Sequence, residues 1–468
     1  MAGETDSDEG HLRHQRRLLA EAIAGRRFVV ALDTLVGAAG LAATLREHGA
    51  GEVLIVGGSR GTGELPDERR GDLVDLQLQD RGVMGGIRAF VRALEDPSRE
   101  LLEVVERFDP AGEATVATAV YFSGERLLGR RVLGARPRAW ARLEDKTTVD
   151  DLWDAAGVPR APSWIGPVER GRLWRAHCDL DGGPGTVWVA DNRTGWHGGG
   201  HGLRWVQTVD DAEQAGRELA AMASHVRVMP FLDGRPCSIH GWVIGDAVAT
   251  FRPCETVMLR ETGRRRLHYA GSATSWLPTG RESDAMRDVA KWVGEHLRDA
   301  HDYRGVFTVD GVLTADGFLP TELNPRFGAA LATLGRGANL PLYLLHGATV
   351  ERPDLDWRPD LVESEVLAAS LEHPVAGAHL VLEGRPARPR SIPFRWAHDR
   401  LVEAPEAAAA DGTIEFGPSP GGSLLRVGFH RPLLGPPAAP LVADAFRGAA
   451  RLLDLDLPPF EAAPELRT

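Results

Sequence analysis

Short apolar runs and helical patterns alternate over the first part of the chain. Residues 27–32 and 52–56 are apolar runs of strand length, and residues 36–47 between them have the spacing of an amphipathic helix. A strand, a helix and a strand within some thirty residues predict a βαβ unit and therefore a parallel sheet. Further strands are predicted at 73–78 and 115–121, and further helices at 84–94 and 99–108.

The pattern changes after Pro137. Helical spacing over 140–156 ends at Gly157-Val-Pro159, which is a helix stop. The segments that follow are strands at 185–190, 226–231, 237–243 and 246–251, helices at 210–224 and 283–301, and a hairpin of 304–314 with 317–323. Parallel and antiparallel units in one chain indicate a multi-domain protein with α/β and α+β parts.

Four regions differ in their composition and patterning. After Pro353 the chain is rich in proline, alanine and glycine, and three short strands and a final helix are predicted there. The expected organisation is a flexible tail at 1–25, an N-terminal α/β domain at 26–138, a central domain at 139–352 and a small β-rich α+β domain at 353–468.

Charge and cysteine content narrow the class of protein. The chain of 468 residues has a formal net charge of −12, which disfavours nucleic acid and anionic membranes as partners. Its three cysteines fit neither a disulfide framework nor a zinc site, and no apolar run is long enough for a signal peptide or a membrane helix. We therefore expect a cytoplasmic protein.

The predicted hairpin brings acidic residues of two neighbouring strands together. A three-residue loop at 315–317, with its glycine in the left-handed region, pairs Thr314 with Phe318. This register sets Asp310 opposite Glu322.

Asn324 completes a set of three oxygen donors. It lies on the same face as Glu322 because side chains in a strand alternate with a period of two. Two carboxylates that converge need a compensating charge, and Mg²⁺, or Mn²⁺ in its place, supplies it through oxygen ligands. The alternative is an exposed hairpin with scattered charges, but Asp310 interrupts an apolar strand, where an unpaired carboxylate is costly.

The segment Thr321-Glu-Leu-Asn-Pro-Arg-Phe-Gly328 resembles the closing signature of the ATP-grasp superfamily. The resemblance covers about residues 140–341 and implies an ATP-grasp fold behind an N-terminal α/β domain. It also implies that Glu322, Asn324 and Asp310 bind Mg²⁺ and that Arg326 contacts the γ-phosphate of ATP. The wider pattern is most similar to actinobacterial peptide ligases of the pheganomycin type.

Lys146 lies in Leu143-Glu-Asp-Lys146, which resembles the Asp-Lys segment whose lysine reaches the nucleotide phosphates in that superfamily. The chain has 52 arginines but only two lysines, Lys146 and Lys291. A lysine that persists in such a composition is a candidate for a role that needs a compact ammonium. The alternative is a solvated charge at the start of a helix.

The glycine-rich segment 195–202 follows a predicted strand, where the superfamily has a flexible loop over the phosphates. Gly198, Gly199 and Gly200 would let backbone N–H groups approach phosphate oxygens. His197 and His201 lack a third partner, which argues against a metal site in the loop.

The rest of the expected nucleotide site rests on weaker matches. The resemblance puts adenine at the backbone of Met229 to Phe231 and the ribose near Asp233. The second phosphate-binding lysine of the superfamily is missing, and Arg193 or Arg204 is the candidate substitute. Arg252 is a candidate to bind an acyl phosphate or a substrate carboxylate, with a strand-end salt bridge as the alternative.

The resemblance implies an ADP-forming carboxylate–amine ligase. ATP would phosphorylate a small-molecule or peptide acid, and an amine would attack the acyl phosphate to give an amide. Two other hypotheses stay open, an ATP-grasp kinase and a nucleotide-binding scaffold without turnover. A homodimer is also left open.

Overall fold

A computed structural model provides the structure of the chain. It describes residues 4–63, 65, 73–78, 82–118, 122–192, 198, 200–262, 267–383, 388–398, 400–419, 422–430 and 434–462. Among the helices of this described part, none combines the length and the apolar character that crossing a membrane requires.

The N-terminal part is a six-stranded sheet with the strand order β3-β2-β1-β4-β6-β5. Its elements are α1 (Glu4–Ile23), β1 (Phe28–Thr34), α2 (Leu35–Glu47), β2 (Val53–Ser59), β3 (Leu73–Asp75), α3 (Gly82–Glu95), α4 (Arg99–Phe108), β4 (Thr115–Thr118), β5 (Gly124–Leu127) and β6 (Arg130–Arg136). The pairing of β1 with β2 is parallel, which confirms the predicted βαβ unit. The antiparallel hairpin of β5 and β6 was not predicted.

A four-stranded antiparallel sheet follows, with the strand order β7-β10-β8-β9. Its region contains α5 (Arg138–Arg142), α6 (Val149–Ala155), β7 (Trp164–Pro167), α7 (Arg170–Leu180), β8 (Thr186–Ala190), β9 (Leu203–Val206), α8 (Val209–Ala220) and β10 (His225–Pro230). The single helix predicted over 140–156 is therefore two helices, and Lys146 lies in the turn between them.

A seven-stranded antiparallel sheet carries the predicted metal hairpin. Its main path is β14-β13-β11-β15-β16, with β12 beside β11 and β22 beside β13. The elements are β11 (Arg235–Ile244), β12 (Ala247–Thr250), β13 (Cys254–Glu261), β14 (Leu267–Ala273), α9 (Gly280–His301), β15 (Gly305–Thr314), β16 (Gly317–Asn324) and, from the end of the chain, β22 (Phe460–Ala462).

The register of β15 and β16 differs from the prediction at the turn but agrees at the acidic residues. Thr314 pairs with Gly317, not with Phe318, so the loop has two residues instead of three. A β-bulge then leaves Thr321 without a partner between the pairs Gly311–Pro320 and Asp310–Glu322. The extra residue in β16 offsets the shorter turn, and Asp310 faces Glu322 as predicted.

Three helices and the C-terminal sheet complete the chain. They are α10 (Ala329–Gly337), α11 (Leu342–Glu351), α12 (Pro359–Glu372), β17 (Gly377–Glu383), β18 (Arg390–Ala397), β19 (Arg400–Glu403), β20 (Gly412–Ser419), β21 (Gly422–Phe429) and α13 (Ala439–Leu453). The sheet order is β17-β21-β20-β18-β19. Helix α12 shares a core with α10 and α11, so residues 359–372 pack with the preceding helices rather than with this sheet.

The segment 1–25, expected to be a tail that leads into a short helix, contains α1 over residues 4–23. Leu18, Leu19, Ala22 and Ile23 are buried, and α1 packs against α11 and α12. These four residues form one apolar stripe of a helix. The many charges around them obscured this stripe, and burying it against distant helices orders the segment.

Candidate functional site

The structure brings Asp310, Glu322 and Asn324 together on neighbouring strands. Asp310 and Glu322 are direct cross-strand partners on β15 and β16, and Asn324 Nδ2 donates a hydrogen bond to Asp310 Oδ2 at 2.8 Å. No group of three or more His, Cys, Asp or Glu side chains suited to a metal occurs in the described part of the chain. A cation at this hairpin therefore needs the amide oxygen of Asn324 as its third protein donor.

The charges around Asp310 favour a bound cation. Burial, and then the nearby charge of Glu322, raise the pKa of Asp310 to about 7. Arg326, Lys146 and the hydrogen bond from Asn324 act in the opposite direction without cancelling this effect. A divalent cation would remove the repulsion between the two carboxylates, so the residues present fit Mg²⁺.

Lys146 reaches the same cluster from the turn between α5 and α6. Its Nζ lies 2.9 Å from Glu322 Oε1, and its side chain is 10% exposed. Asp145 shapes the turn by accepting hydrogen bonds from the backbone N–H and the hydroxyl of Thr147 at 2.9 and 2.7 Å. The ammonium is thus positioned to contact a negatively charged ligand beside the carboxylates.

Arg326 is held by a carboxylate that the sequence analysis did not identify. Its Nε donates to Glu144 Oε1 at 2.7 Å, and its Nη2 donates to Asn324 Oδ1 at 2.8 Å. Glu144 also binds Arg136, at the end of β6 in the N-terminal sheet. The two arginines and Lys146 outweigh the effect of burial and hold the pKa of Glu144 below its usual value.

Glu144 therefore links the N-terminal sheet to the metal hairpin. Glu144 directly precedes the predicted Asp-Lys pair in the chain. The local sequence does not indicate that two arginines from distant positions bind its side chain.

A second buried ion pair supports the bulge in β16. Arg227, on β10, is 1% exposed and pairs with Asp150, its Nη2 lying 2.6 Å from Asp150 Oδ1. Its Nη1 donates to the carbonyl of Thr321 at 3.0 Å. The bulged residue is thereby tied to the four-stranded sheet, and this contact was also missed from sequence.

The predicted adenine contacts are only partly compatible with the structure. The backbone N–H of Phe231 donates to the carbonyl of Gly185 at 2.9 Å, so in this state it is not free to bind a base. The ring of Phe231 stacks on Trp205, with 4.6 Å between the ring centroids. Met229 is buried on β10, and its sulfur accepts from Arg227 Nη1 at 3.6 Å.

Asp233 follows β10 and lines a cavity of ≈ 370 Å³ beside the hairpin turn. Trp276, Thr314 and Ala315 line the same cavity. Its place near a ribose stays a prediction.

The glycine-rich loop is described only in part. Arg193 and Gly199 lie outside the described residues. Gly198 and Gly200 accept backbone hydrogen bonds from His201 and Leu203 at 3.1 and 3.0 Å. Their contact with phosphates stays a prediction.

The other candidate cation of this region, Arg204, already has protein partners. It forms an ion pair with Glu218 and donates to the carbonyls of His201 and Leu203. In this state its guanidinium is not directed to a phosphate.

Arg252 binds backbone carbonyls. It is buried, and it donates to Ser370 O and to Trp276 O, each at 2.7 Å. Neither the predicted salt bridge nor a contact with the carboxylate cluster is formed among the described residues. A catalytic role for Arg252 stays a prediction, and its visible role is to join α12 to the segment before α9.

Comparison with known proteins identifies the fold. No protein-family model matches the sequence, and a search of curated proteins finds no match. Solved structures do match. The biotin carboxylase domain dimer of 2-oxoglutarate carboxylase from Hydrogenobacter thermophilus, solved with MgADP, ADP and bicarbonate, has a TM-score of 0.58 and 13% identity over 94% of this chain and 90% of that one.

Two further similar structures are N5-carboxyaminoimidazole synthases or synthetases. N5-carboxyaminoimidazole synthase from Aspergillus clavatus, in complex with ADP and 5-aminoimidazole ribonucleotide, has a TM-score of 0.53 and 13% identity over 92% of this chain and 98% of that chain. An N5-carboxyaminoimidazole ribonucleotide synthetase in complex with ADP has a TM-score of 0.51 and 14% identity over 87% and 93%. The chain therefore has the ATP-grasp fold, as expected from its sequence.

Proposed function

We propose that this protein is an ATP- and Mg²⁺-dependent ligase that joins a carboxylate to an amine and forms ADP. The observation that carries the proposal is the cluster of Asp310, Glu322 and Asn324, with Lys146 and Arg326 against it. The shared fold supports it, because the similar proteins were solved with ADP or MgADP.

The reaction consists of two transfers. In the first, a carboxylate oxygen of the acid attacks the γ-phosphorus of ATP, the bond to the bridging oxygen breaks, and ADP leaves. In the second, the nitrogen of a neutral amine attacks the acyl carbon, phosphate leaves, and the amide forms with loss of one proton. The chain supplies positioning and charge compensation for both transfers.

Each residue of the cluster has a defined part in this scheme. Asp310, Glu322 and Asn324 would hold Mg²⁺, or Mn²⁺ in its place, and the ion would neutralise charge on the transferring phosphoryl group. Lys146 and Arg326 would bind phosphate oxygens from two sides. Arg326 is suited to this because Glu144 and Asn324 orient its guanidinium.

One incubation experiment, together with a measurement of ATP binding, separates the ligase from the two alternatives. The purified protein is incubated with ATP, Mg²⁺ and mixtures of acids and amines, and ADP and products are measured by mass spectrometry. A ligase releases ADP only with both substrates and yields a new amide. A phosphorylated product without an amine requirement would indicate a kinase, and tight ATP binding without turnover would indicate a scaffold.

The substrate class and the setting are further parts of the proposal. The likeness to pheganomycin-type ligases favours amino acids or peptides as acid and amine, in natural-product biosynthesis in the cytoplasm. One similar structure is a dimer, so a homodimer is worth testing by light scattering. Amide formation from a panel of amino acids and short peptides tests the substrate class directly.

A further inference from the structure

A basic face of the C-terminal sheet lies next to the helix that follows the carboxylate cluster. His379 on β17 and Arg426 on β21 are direct cross-strand partners. Their neighbours Ala378, Leu380 and Val427 are buried in the core with α13. Because side chains alternate along a strand, His379 and Arg426 point to the face opposite α13.

Arg336 on α10 adds a second guanidinium group to this face. Arg336 is exposed to solvent, and partial desolvation by neighbouring protein atoms, followed by the charge of Arg426, lowers its pKa. Its guanidinium makes one hydrogen bond within the described part of the chain, to Thr333 Oγ1 at 3.5 Å, and it has no carboxylate partner there. Two guanidinium groups near each other repel, and an anion bound between them would offset this repulsion.

The acidic groups of the face do not balance its cations. Arg426 pairs with Glu415 on β20, its Nη1 lying 3.0 Å from Glu415 Oε2. Burial and the charge of Arg426 lower the pKa of His379, which has no carboxylate partner among the described residues. Among the described residues, the carboxylate paired with this group of two guanidiniums and an imidazole is that of Glu415.

Strand β14 joins the two halves of the basic face. A bulge in its pairing with β13 leaves Ala270 unpaired and puts Tyr269 and Ser272 on one face. Ser272 Oγ lies 3.3 Å from Thr333 Oγ1, one turn before Arg336, and the ring of Tyr269 lies 5.9 Å from that of His379. Hydroxyl groups that can bind an anion therefore accompany the cations.

Helix α10 begins beside the strand that carries Asp310 and ends near Arg336. Gly328, just before α10, approaches β15 so closely that a Cβ atom would come within 3.1 Å of Thr308 Oγ1. Arg336 is seven residues after Ala329, which corresponds to about 10 Å along the helix axis. An extended dipeptide has a length of the same order as this helix rise.

We propose that Arg336, Arg426 and His379 form a subsite for a second anionic group of the acid substrate, a carboxylate or a phosphate. The carboxylate to be activated lies at the Asp310 cluster, and the second anion lies at the basic face. The subsite selects acids that carry a negative charge at both ends. This inference rests on the proposed ligase function and specifies its substrate.

Binding of small anions without nucleotide tests the subsite by itself. Titrations of glutarate and of inorganic phosphate into the full-length protein, followed by calorimetry, show which anion it prefers. Arg336→Gln and Arg426→Gln should each lower the affinity for the preferred anion by about tenfold, because each removes a charge-assisted contact. Arg395→Gln removes an exposed arginine of β18, two strands away from β21, and as the matched control it should bind as the wild type does.

The outcomes separate this inference from the proposed function. Glu322→Ala should keep anion binding while it loses ADP release. If the wild type binds neither probe, or if the Arg336 and Arg426 variants bind as tightly as Arg395→Gln, the subsite is refuted even when the protein is a ligase. Anion binding that depends on both arginines, in a protein that never forms an amide, would keep the subsite and refute the ligase.

Discussion

Lys146 Nζ lies 2.9 Å from Glu322 Oε1, so the lysine compensates one of the two facing carboxylates of the hairpin. The pair joins a turn between two short helices to a strand that is 176 positions away in the chain. In the proposed function, a cation on the carboxylates would replace the ammonium as their partner and leave Lys146 to bind a phosphate nearby. The pair would therefore link charge compensation at the hairpin to phosphate binding.

The two lysines of the chain allow a matched test of this role. Lys146→Ala should lower kcat/KM for ATP by roughly a hundredfold, because the ammonium acts on the phosphates in a partly desolvated site. Lys291→Ala, on the exposed side of α9, should leave it unchanged. Steady-state ADP release measures both variants. An equal loss of kcat/KM in both variants, or no loss in either, would contradict the role of Lys146 in phosphate binding.

Glu322→Ala should abolish turnover without unfolding the protein. The side chain is 29% exposed, so its removal costs little packing, but the proposed cation loses one of its two carboxylates. We expect ADP release to fall by about a thousandfold and the melting temperature to stay within a few degrees of the wild type. Asp316→Asn, at the turn of the same hairpin, is the control and should keep full activity. Undiminished ADP release by Glu322→Ala would rule out the metal site.

Mg²⁺ binding should strengthen as the pH rises through about 7. The cation competes with the proton on Asp310, whose pKa is raised to about 7 in the metal-free protein. Below that pH the affinity should fall by up to tenfold per pH unit. Calorimetric titration of Mg²⁺ between pH 5.5 and pH 8.5, at about constant ionic strength, measures the slope. A flat profile would exclude Asp310 as a ligand.

The raised pKa of Asp310 also predicts how the stability of the metal-free protein depends on pH. The pKa of Asp310 is higher in the folded protein than its ordinary value of 3.8, so the folded state binds the proton more tightly than the unfolded state. The contribution of this group is most favourable below 3.8 and is lost as the pH rises to about 7. Asp310→Asn should therefore gain stability relative to the wild type between pH 5 and pH 8. Urea unfolding of both proteins in the presence of EDTA, at pH 5 and at pH 8, measures this difference in unfolding free energy. A variant that loses stability relative to the wild type as the pH rises would contradict the raised pKa of Asp310.

Glu144→Gln should destabilise the protein and lower its activity together. Without the carboxylate, Arg136 and Arg326 face each other in a buried site, which costs about 3–5 kcal/mol of unfolding free energy. Arg326 also loses a partner that orients it, so kcat should fall as well. Glu213→Gln, which removes the partner of the exposed Arg170, should cost less than about 1 kcal/mol. Similar losses of unfolding free energy in the two variants would show that the ion pairs of Glu144 stabilise the fold no more than an exposed pair does.

The predictions from sequence succeeded where local pattern was sufficient. The strand–helix–strand units, α9 and the β15–β16 hairpin follow from hydrophobic period and length, and the structure contains them with small changes in their ends. The helix expected over 140–156 failed because helical spacing alone does not show the turn that holds Lys146. The length of α1, within the segment expected to be a tail leading into a short helix, depends on packing against helices more than 300 positions away.

Sequence by itself determined which residue types stand at the hairpin, that Asp310 interrupts an apolar strand, and that Lys146 is one of only two lysines. Tertiary structure decided the exact register, since a shorter turn and the bulge at Thr321 offset each other. It also decided that Glu144 binds two arginines from different parts of the chain and that Arg336 lies near Arg426. These contacts join residues far apart in the chain, and their energies depend on burial and distance, which no local pattern of side chains specifies.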